Sequence, residues 1–153
     1  MIILIYFLNA IVLTFVSWTI GLLINNAIKQ RAFYKNLSHL SFIKNDFTNK
    51  ILGLSIFGWI IKNSFFKVFN QKLKFKKGMS RKDLESIRCE MVYAEIGHLI
   101  GFLFILVFIF IKIGNGQYTY ALLLLGFNII FNLYPTLLQQ YNKKRVDNNI
   151  LKQ

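Results

Sequence analysis

Leu99-Ile100-Gly101-Phe102-Leu103-Phe104-Ile105-Leu106-Val107-Phe108-Ile109-Phe110-Ile111 runs without a charge until Lys112. Apolar residues upstream extend the run to about residues 91–113. At ~1.5 Å of rise per residue, about 20 such residues cross ~30 Å of hydrocarbon. The run lacks the alternation of a barrel strand, so its backbone must satisfy itself as a helix. Two other segments qualify as spans, at about 2–24 and 118–138. The expected fold is all-α: a single membrane domain over residues 1–153 with three transmembrane helices.

The composition agrees. Hydrophobic residues make up 55% of the 153, mean hydropathy is +0.46, and the formal net charge is +13. A chain both this apolar and this basic separates the two properties in space, with apolar runs in lipid and cations in the flanking loops. The charge brackets apolar runs and no nucleic-acid motif accompanies it, so no nucleic-acid partner is expected. The first 27 residues carry no charge and lack the basic start of a signal peptide, which predicts a retained first span. The lone Cys89 rules out an intramolecular disulfide and is expected as a small buried hydrophobe.

Basic residues set the orientation. The segment 28–88 carries Lys29, Arg31, Lys35, Lys44, Lys50, Lys62, Lys67, Lys72, Lys74, Lys76, Lys77, Arg81, Lys82 and Arg88. The tail, 139–153, adds Lys143, Lys144, Arg145 and Lys152. Between the last two spans stand only Lys112 and the turn Gly114-Asn115-Gly116-Gln117. The positive-inside rule therefore predicts the N-terminus outside, with loop and tail in the cytoplasm. Within the loop, 51–69 is too short in its apolar part to span and is rich in aromatics, Trp59 among them. It is expected as an amphipathic helix lying at the interface, or as a re-entrant segment. Ser80, with Asp83 three residues on, predicts an N-cap for a helix that continues into the second span.

Ionisable groups inside spans are costly and draw attention as functional candidates. Glu95 and His98, in Ala94-Glu95-Ile96-Gly97-His98, share one helix face. Gly97 and Gly101 allow another helix or a ligand to come close. The third span contributes Asn128, Asn132, Tyr134 and Pro135, then Gln139-Gln140-Tyr141-Asn142-Lys143-Lys144-Arg145. His98 precedes Lys112 by 14 residues and Asn132 follows Tyr118 by 14. In an antiparallel hairpin both sit ~21 Å below the turn, level with each other. This predicts a polar pocket in the cytoplasmic leaflet, with His98 as general base and Glu95 as the carboxylate that orients it. Arg145, with Lys143 and Lys144, suits a phosphate-bearing ligand at the surface. Glu-x-x-His occurs once, so no metal site is expected. His39 lies in a polar loop and takes no role.

At these residues the sequence resembles the glycosyl-4,4'-diaponeurosporenoate acyltransferases. Ala94, Glu95 and His98 resemble one block of that family. Asn132 and Pro135, followed by Gln139, Tyr141, Asn142 and Arg145, resemble a second. The chain departs from the pattern at Tyr93, where a basic residue is common, at Leu99, where Trp is common, and at Gln140, where Arg is common. The resemblance implies a membrane enzyme that moves a fatty acyl group from acyl-CoA, or another activated donor, to a sugar hydroxyl of a carotenoid glycoside or related lipid-linked acceptor. It implies no resident cofactor and a place in the cytoplasmic (inner) membrane. His98 and Glu95 would be catalytic, with Asn132, Gln139, Tyr141, Asn142 and Arg145 binding substrate and Asn132 meeting the acyl carbonyl. A homo-oligomer could complete the pocket. The same residues also fit an enzyme modifying another isoprenoid or lipid-linked sugar. They fit as well a non-enzymatic membrane subunit whose polar groups hold helices together.

Overall fold

The computed structural model describes residues 1–64 and 78–151. Phe65, Phe66, Lys67 and Phe69, part of the expected interfacial segment, lie outside the described residues, as do Lys72, Lys74, Lys76, Lys77 and Lys152. Every regular element among the described residues is helical. Three helical stretches are long and apolar enough to cross a membrane: Ile2–Ile28, Arg81–Gly114 and Tyr118–Ile150. All three are longer than the apolar runs alone, because polar residues at their ends continue the helix.

The first is α1, Ile2–Ile28. Its buried residues are Ala10, Thr14, Ser17, Gly21 and Asn25, spaced three or four apart along one small, partly polar face. Most of its remaining surface is exposed and apolar, including Leu4, Phe7, Val12, Phe15 and Leu23. An apolar girdle of that extent suits lipid. Short helices follow: α2, Tyr34–Leu37; α3, Asp46–Ile51; and α4, Leu54–Asn63. Asn45 caps α3, its side chain accepting the Phe47 N–H at 2.9 Å. Gly53, at φ 64°, makes the left-handed turn between α3 and α4. In α4 the buried face holds Leu54 and Gly58, while Ile56, Trp59 and Ile60 stand exposed. The expected interfacial helix over 51–69 is thus a shorter one, since Ile51 closes α3, Gly53 turns the chain and the segment's residues from 65 on lie outside the described residues.

Helix α5 runs from Arg81 to Gly114. Its start is capped reciprocally. Ser80 Oγ accepts the Asp83 N–H at 3.2 Å, and the Asp83 carboxylate accepts the Ser80 N–H at 3.2 Å and its hydroxyl at 2.7 Å. The third span begins as α6, Tyr118–Asn128, passes through one π-helical turn, Ile129–Leu133, and continues as α7, Tyr134–Ile150. Pro135 provides a physical reason for the wider turn. It has no N–H for the Phe131 carbonyl four residues back, and its ring crowds that position. Trp18 takes the vacated acceptor instead, its Nε1 donating to Phe131 O at 3.2 Å.

The chain divides into two units. Met1–Tyr34 with Ile96–Thr136 forms one, and Lys35–Glu95 with Leu137–Gln153 forms the other. The core of the first is Ala10 with Ile105, Ile109, Tyr120, Ala121 and Leu124. Tyr6 stacks on Tyr120 at 4.5 Å. Gly21 and Gly97 bring α1 and α5 into backbone contact: a Cβ on Gly21 would stand 2.3 Å from the Gly97 carbonyl oxygen. The second unit packs Leu84, Ile87 and Met91 against Val146. Cys89 lies between those α5 positions in sequence and turns to the opposite face, so it is exposed rather than buried as expected.

Candidate active site and anion cleft

In the first unit, polar side chains of three elements meet within the apolar packing. Asn132 sits on the π-helical turn and is fully buried. Its Nδ2 donates to Ser17 Oγ at 3.2 Å and to Asn128 Oδ1 at 3.0 Å. Asn128 Nδ2 donates in turn to Phe102 O at 3.0 Å, and Ser17 Oγ to Thr14 O at 2.7 Å. Gly101 makes room for the cluster, since a Cβ there would lie 2.9 Å from Asn132 Oδ1 and 3.3 Å from Ser17 Oγ. The His98 ring reaches the Asn132 side chain and the Phe131 carbonyl. Trp18 meets it edge-on at 6.0 Å. His98 Nδ1 is shut off from solvent and has no hydrogen-bond partner, and Asn132 Oδ1 is likewise without one. The level predicted for His98 and Asn132 by counting from the turn is therefore realised within this unit.

One expectation changes here. Both amide hydrogens of Asn132 are engaged, by Ser17 and Asn128, so the amide that was to meet an acyl carbonyl is already committed. What Asn132 turns toward Gly101 is its carbonyl oxygen, an acceptor.

In the second unit Glu95 is fully buried, and both of its carboxylate oxygens are taken. Gln140 Nε2 donates to Oε1 at 2.9 Å and Lys143 Nζ to Oε2 at 2.7 Å. Lys143, itself only 4% exposed, also donates to Leu40 O at 3.0 Å. Gln140 Oε1 accepts the Phe42 N–H at 2.8 Å. Arg88 pairs with Asp147 and reaches Ser38 O at 3.5 Å. Lys144 donates to Lys44 O at 3.2 Å and to the Asp46 carboxylate at 2.7 Å. The segment from Ser38 to Asp46 is thus pinned to α5 and α7 by side chains that the sequence presents as plain positive-inside charge. Lys143 in particular is a buried ion-pair partner and is not available for phosphate. The Lys144 ammonium holds the Asp46 carboxyl below its ordinary range, chiefly by its hydrogen bond.

Beside that seam is a cleft of about 290 Å³ lined by Asp46, Lys50, Ser55, Tyr141, Lys144, Arg145 and Asn148. Two expected substrate-binding residues, Tyr141 and Arg145, line it, with the Arg145 guanidinium 6.0 Å from the Tyr141 ring. Gln139 is buried, its Oε1 without a hydrogen-bond partner. Asn142 is half-buried. Sequence reasoning missed Trp18, Ser17, Lys50, Ser55 and Asn148. The four-residue spacing of Ser17, Gly21 and Asn25 was a legible signal. Nothing in the sequence marked Lys50 among so many lysines.

A family model described as glycosyl-4,4'-diaponeurosporenoate acyltransferase matches residues 29–152. No curated protein and no solved structure matches the chain. The match opens directly after α1 and contains both later spans, the Glu95–His98 turn, the Asn132–Pro135 turn and every residue of the cleft. On that coverage, the chain belongs to the glycosyl-4,4'-diaponeurosporenoate acyltransferase family.

Proposed function

We propose that this protein is a membrane acyltransferase that esterifies a sugar hydroxyl of a glycosylated carotenoid or a related glycolipid. The donor is acyl-CoA or another activated acyl group, and no resident cofactor takes part. His98 serves as general base. Its ring lies against the Asn132 side chain and the Phe131 carbonyl, and its Nδ1 carries no bond. A ring N–H directed to the Phe131 carbonyl leaves the Nδ1 lone pair for the substrate. The imidazole takes the hydroxyl proton as the sugar oxygen bonds to the acyl carbon. The bond from that carbon to the leaving group then breaks, and the imidazolium returns its proton to the departing thiolate when the donor is a thioester. The Phe131 carbonyl is the acceptor that fixes the ring, with the Asn132 side chain beside it. Glu95, expected to orient the imidazole, instead has both carboxylate oxygens held by Gln140 and Lys143 and steadies α5 against α7. Gln139, Tyr141, Asn142 and Arg145 belong to substrate binding.

The observation that carries this reading is a buried imidazole with an unbonded nitrogen inside a membrane span. A purely structural histidine would be expected to have both nitrogens satisfied. The charge pattern supports an inner membrane location with the N-terminus outside and the site in the cytoplasmic leaflet. The test is mass spectrometry of lipids from cells that make a glycosylated carotenoid, with and without the protein. A species heavier by one fatty acyl group, present only with the protein, is expected. Unchanged lipids would count against the reading. A homo-oligomer is also open to test, by cross-linking in the membrane.

A further inference from the structure

The cleft at α3, α4 and α7 has a charge that its own fold leaves unbalanced. Lys50, Lys144 and Arg145 face one carboxylate, Asp46, and the net is two positive charges. Arg88, Lys143 and Lys144 each have an acidic partner. Lys50 and Arg145 are in no ion pair among the described residues. Lys144 is fixed by Asp46 and the Lys44 carbonyl, so it stands as a preset cation at the wall. Ser55, Tyr141 and Asn148 add two hydroxyls and an amide, groups able to donate to an anion's oxygens. The volume of about 290 Å³ is at the lower end of ligand pockets, ~300–1,000 Å³, which suits a headgroup rather than a whole lipid.

The same two helices show what surrounds the mouth. Asp46, Lys50 and Ser55 face the cleft, while Phe47, Ile51, Ile56, Trp59 and Ile60 are exposed. A segment that is cationic on one side and aromatic and aliphatic on the other belongs at headgroup depth. We propose that this cleft binds the phosphate group of an amphiphilic ligand at the membrane surface, with Lys50 and Arg145 as its two free cations. Resting on the acyl-transfer reading, the occupant is the phosphorylated part of the acyl donor, whose chain continues into lipid. A phospholipid headgroup offers the same chemistry.

The experiment uses the full chain in nanodiscs of neutral phosphatidylcholine, with coenzyme A as the soluble probe and phosphatidylglycerol-doped discs as the lipid probe. Lys50→Ala, Arg145→Ala and the outlying control Lys82→Ala are compared by calorimetry and by lipid retention on purification. Both cleft side chains are exposed and in no ion pair among the described residues, so their loss should leave folding intact. Coenzyme A should bind, with each cleft variant weaker by about ten-fold or more and Lys82→Ala unchanged. Phosphatidylglycerol retention that falls in the cleft variants alone would assign the site to a lipid phosphate. Binding of both probes that is indifferent to Lys50 and Arg145 would overturn the proposal. Acyl transfer that proceeds with an unaltered donor KM in Lys50→Ala would remove the donor from this cleft while leaving the enzyme reading standing. Cleft-dependent binding in a protein without transferase activity would do the reverse.

Discussion

Glu95 and Lys143 form an ion pair with almost no water around it, and such pairs respond asymmetrically to mutation. Removing one partner strands a charge, which typically costs ~3–5 kcal/mol, whereas replacing both with neutral groups can be close to harmless. Glu95→Gln and Lys143→Met should each lower the thermal stability of the detergent-solubilised protein sharply. The double variant should recover most of the loss, as a double-mutant cycle by calorimetry would show. Additive losses would mean that the pair does not form. Asp46 is a milder case at the surface. Lys144 depresses its folded-state pKa, so the stabilisation from that contact is present above the ordinary aspartate range, ~3.9, and fades as pH falls through the lowered value. A carbon-13 carboxyl titration should find Asp46 low in the native protein and returned toward ordinary in Lys144→Met. At this scale the sequence revealed which polar residues mattered but not their partners. Glu95 and His98 stand out because charge and imidazole are rare in a span. That Glu95 binds a lysine 48 positions away depends on a loop fold that local spacing does not encode.

Helix contacts are set by small residues more than by large ones. The α1 face of Ala10, Thr14, Ser17, Gly21 and Asn25 exists because backbone must approach backbone at Gly97. Gly21→Ala places a methyl 2.3 Å from a carbonyl oxygen that cannot move without shifting α5. It should destabilise the protein by about 1–3 kcal/mol, read as a lowered melting temperature in detergent. Gly126→Ala, where a Cβ would meet nothing, should have far less effect. The helices themselves were readable from length, apolarity and the Ser80–Asp83 cap. The π-helical turn was not. Pro135 announces a disturbance in the third span, but whether the chain kinks, breaks or widens depends on a new donor for the Phe131 carbonyl, and that donor is Trp18, 113 residues earlier.

Across the whole molecule, three apolar spans place it in a membrane, and the family match gives it a place among acyltransferases. The sidedness argued from lysines and arginines can be tested with the native sequence, since Cys89 is the lone cysteine and is exposed near the start of the second span. An impermeant maleimide should label it in inside-out vesicles and not in intact cells; the opposite pattern would reverse the orientation. Three-span architecture was legible because hydrophobic length is a nearly sufficient code for crossing a bilayer. The cleft was not legible, because it depends on which of many cations the fold leaves unpaired. His98 carries the proposed chemistry. The direct measurement is the rate of acyl transfer to a glycosylated carotenoid in membranes holding equal amounts of native protein and of His98→Ala. Loss of a general base should slow transfer by about 10²–10⁴-fold while the variant stays folded and membrane-bound. Transfer at the native rate in His98→Ala would contradict it.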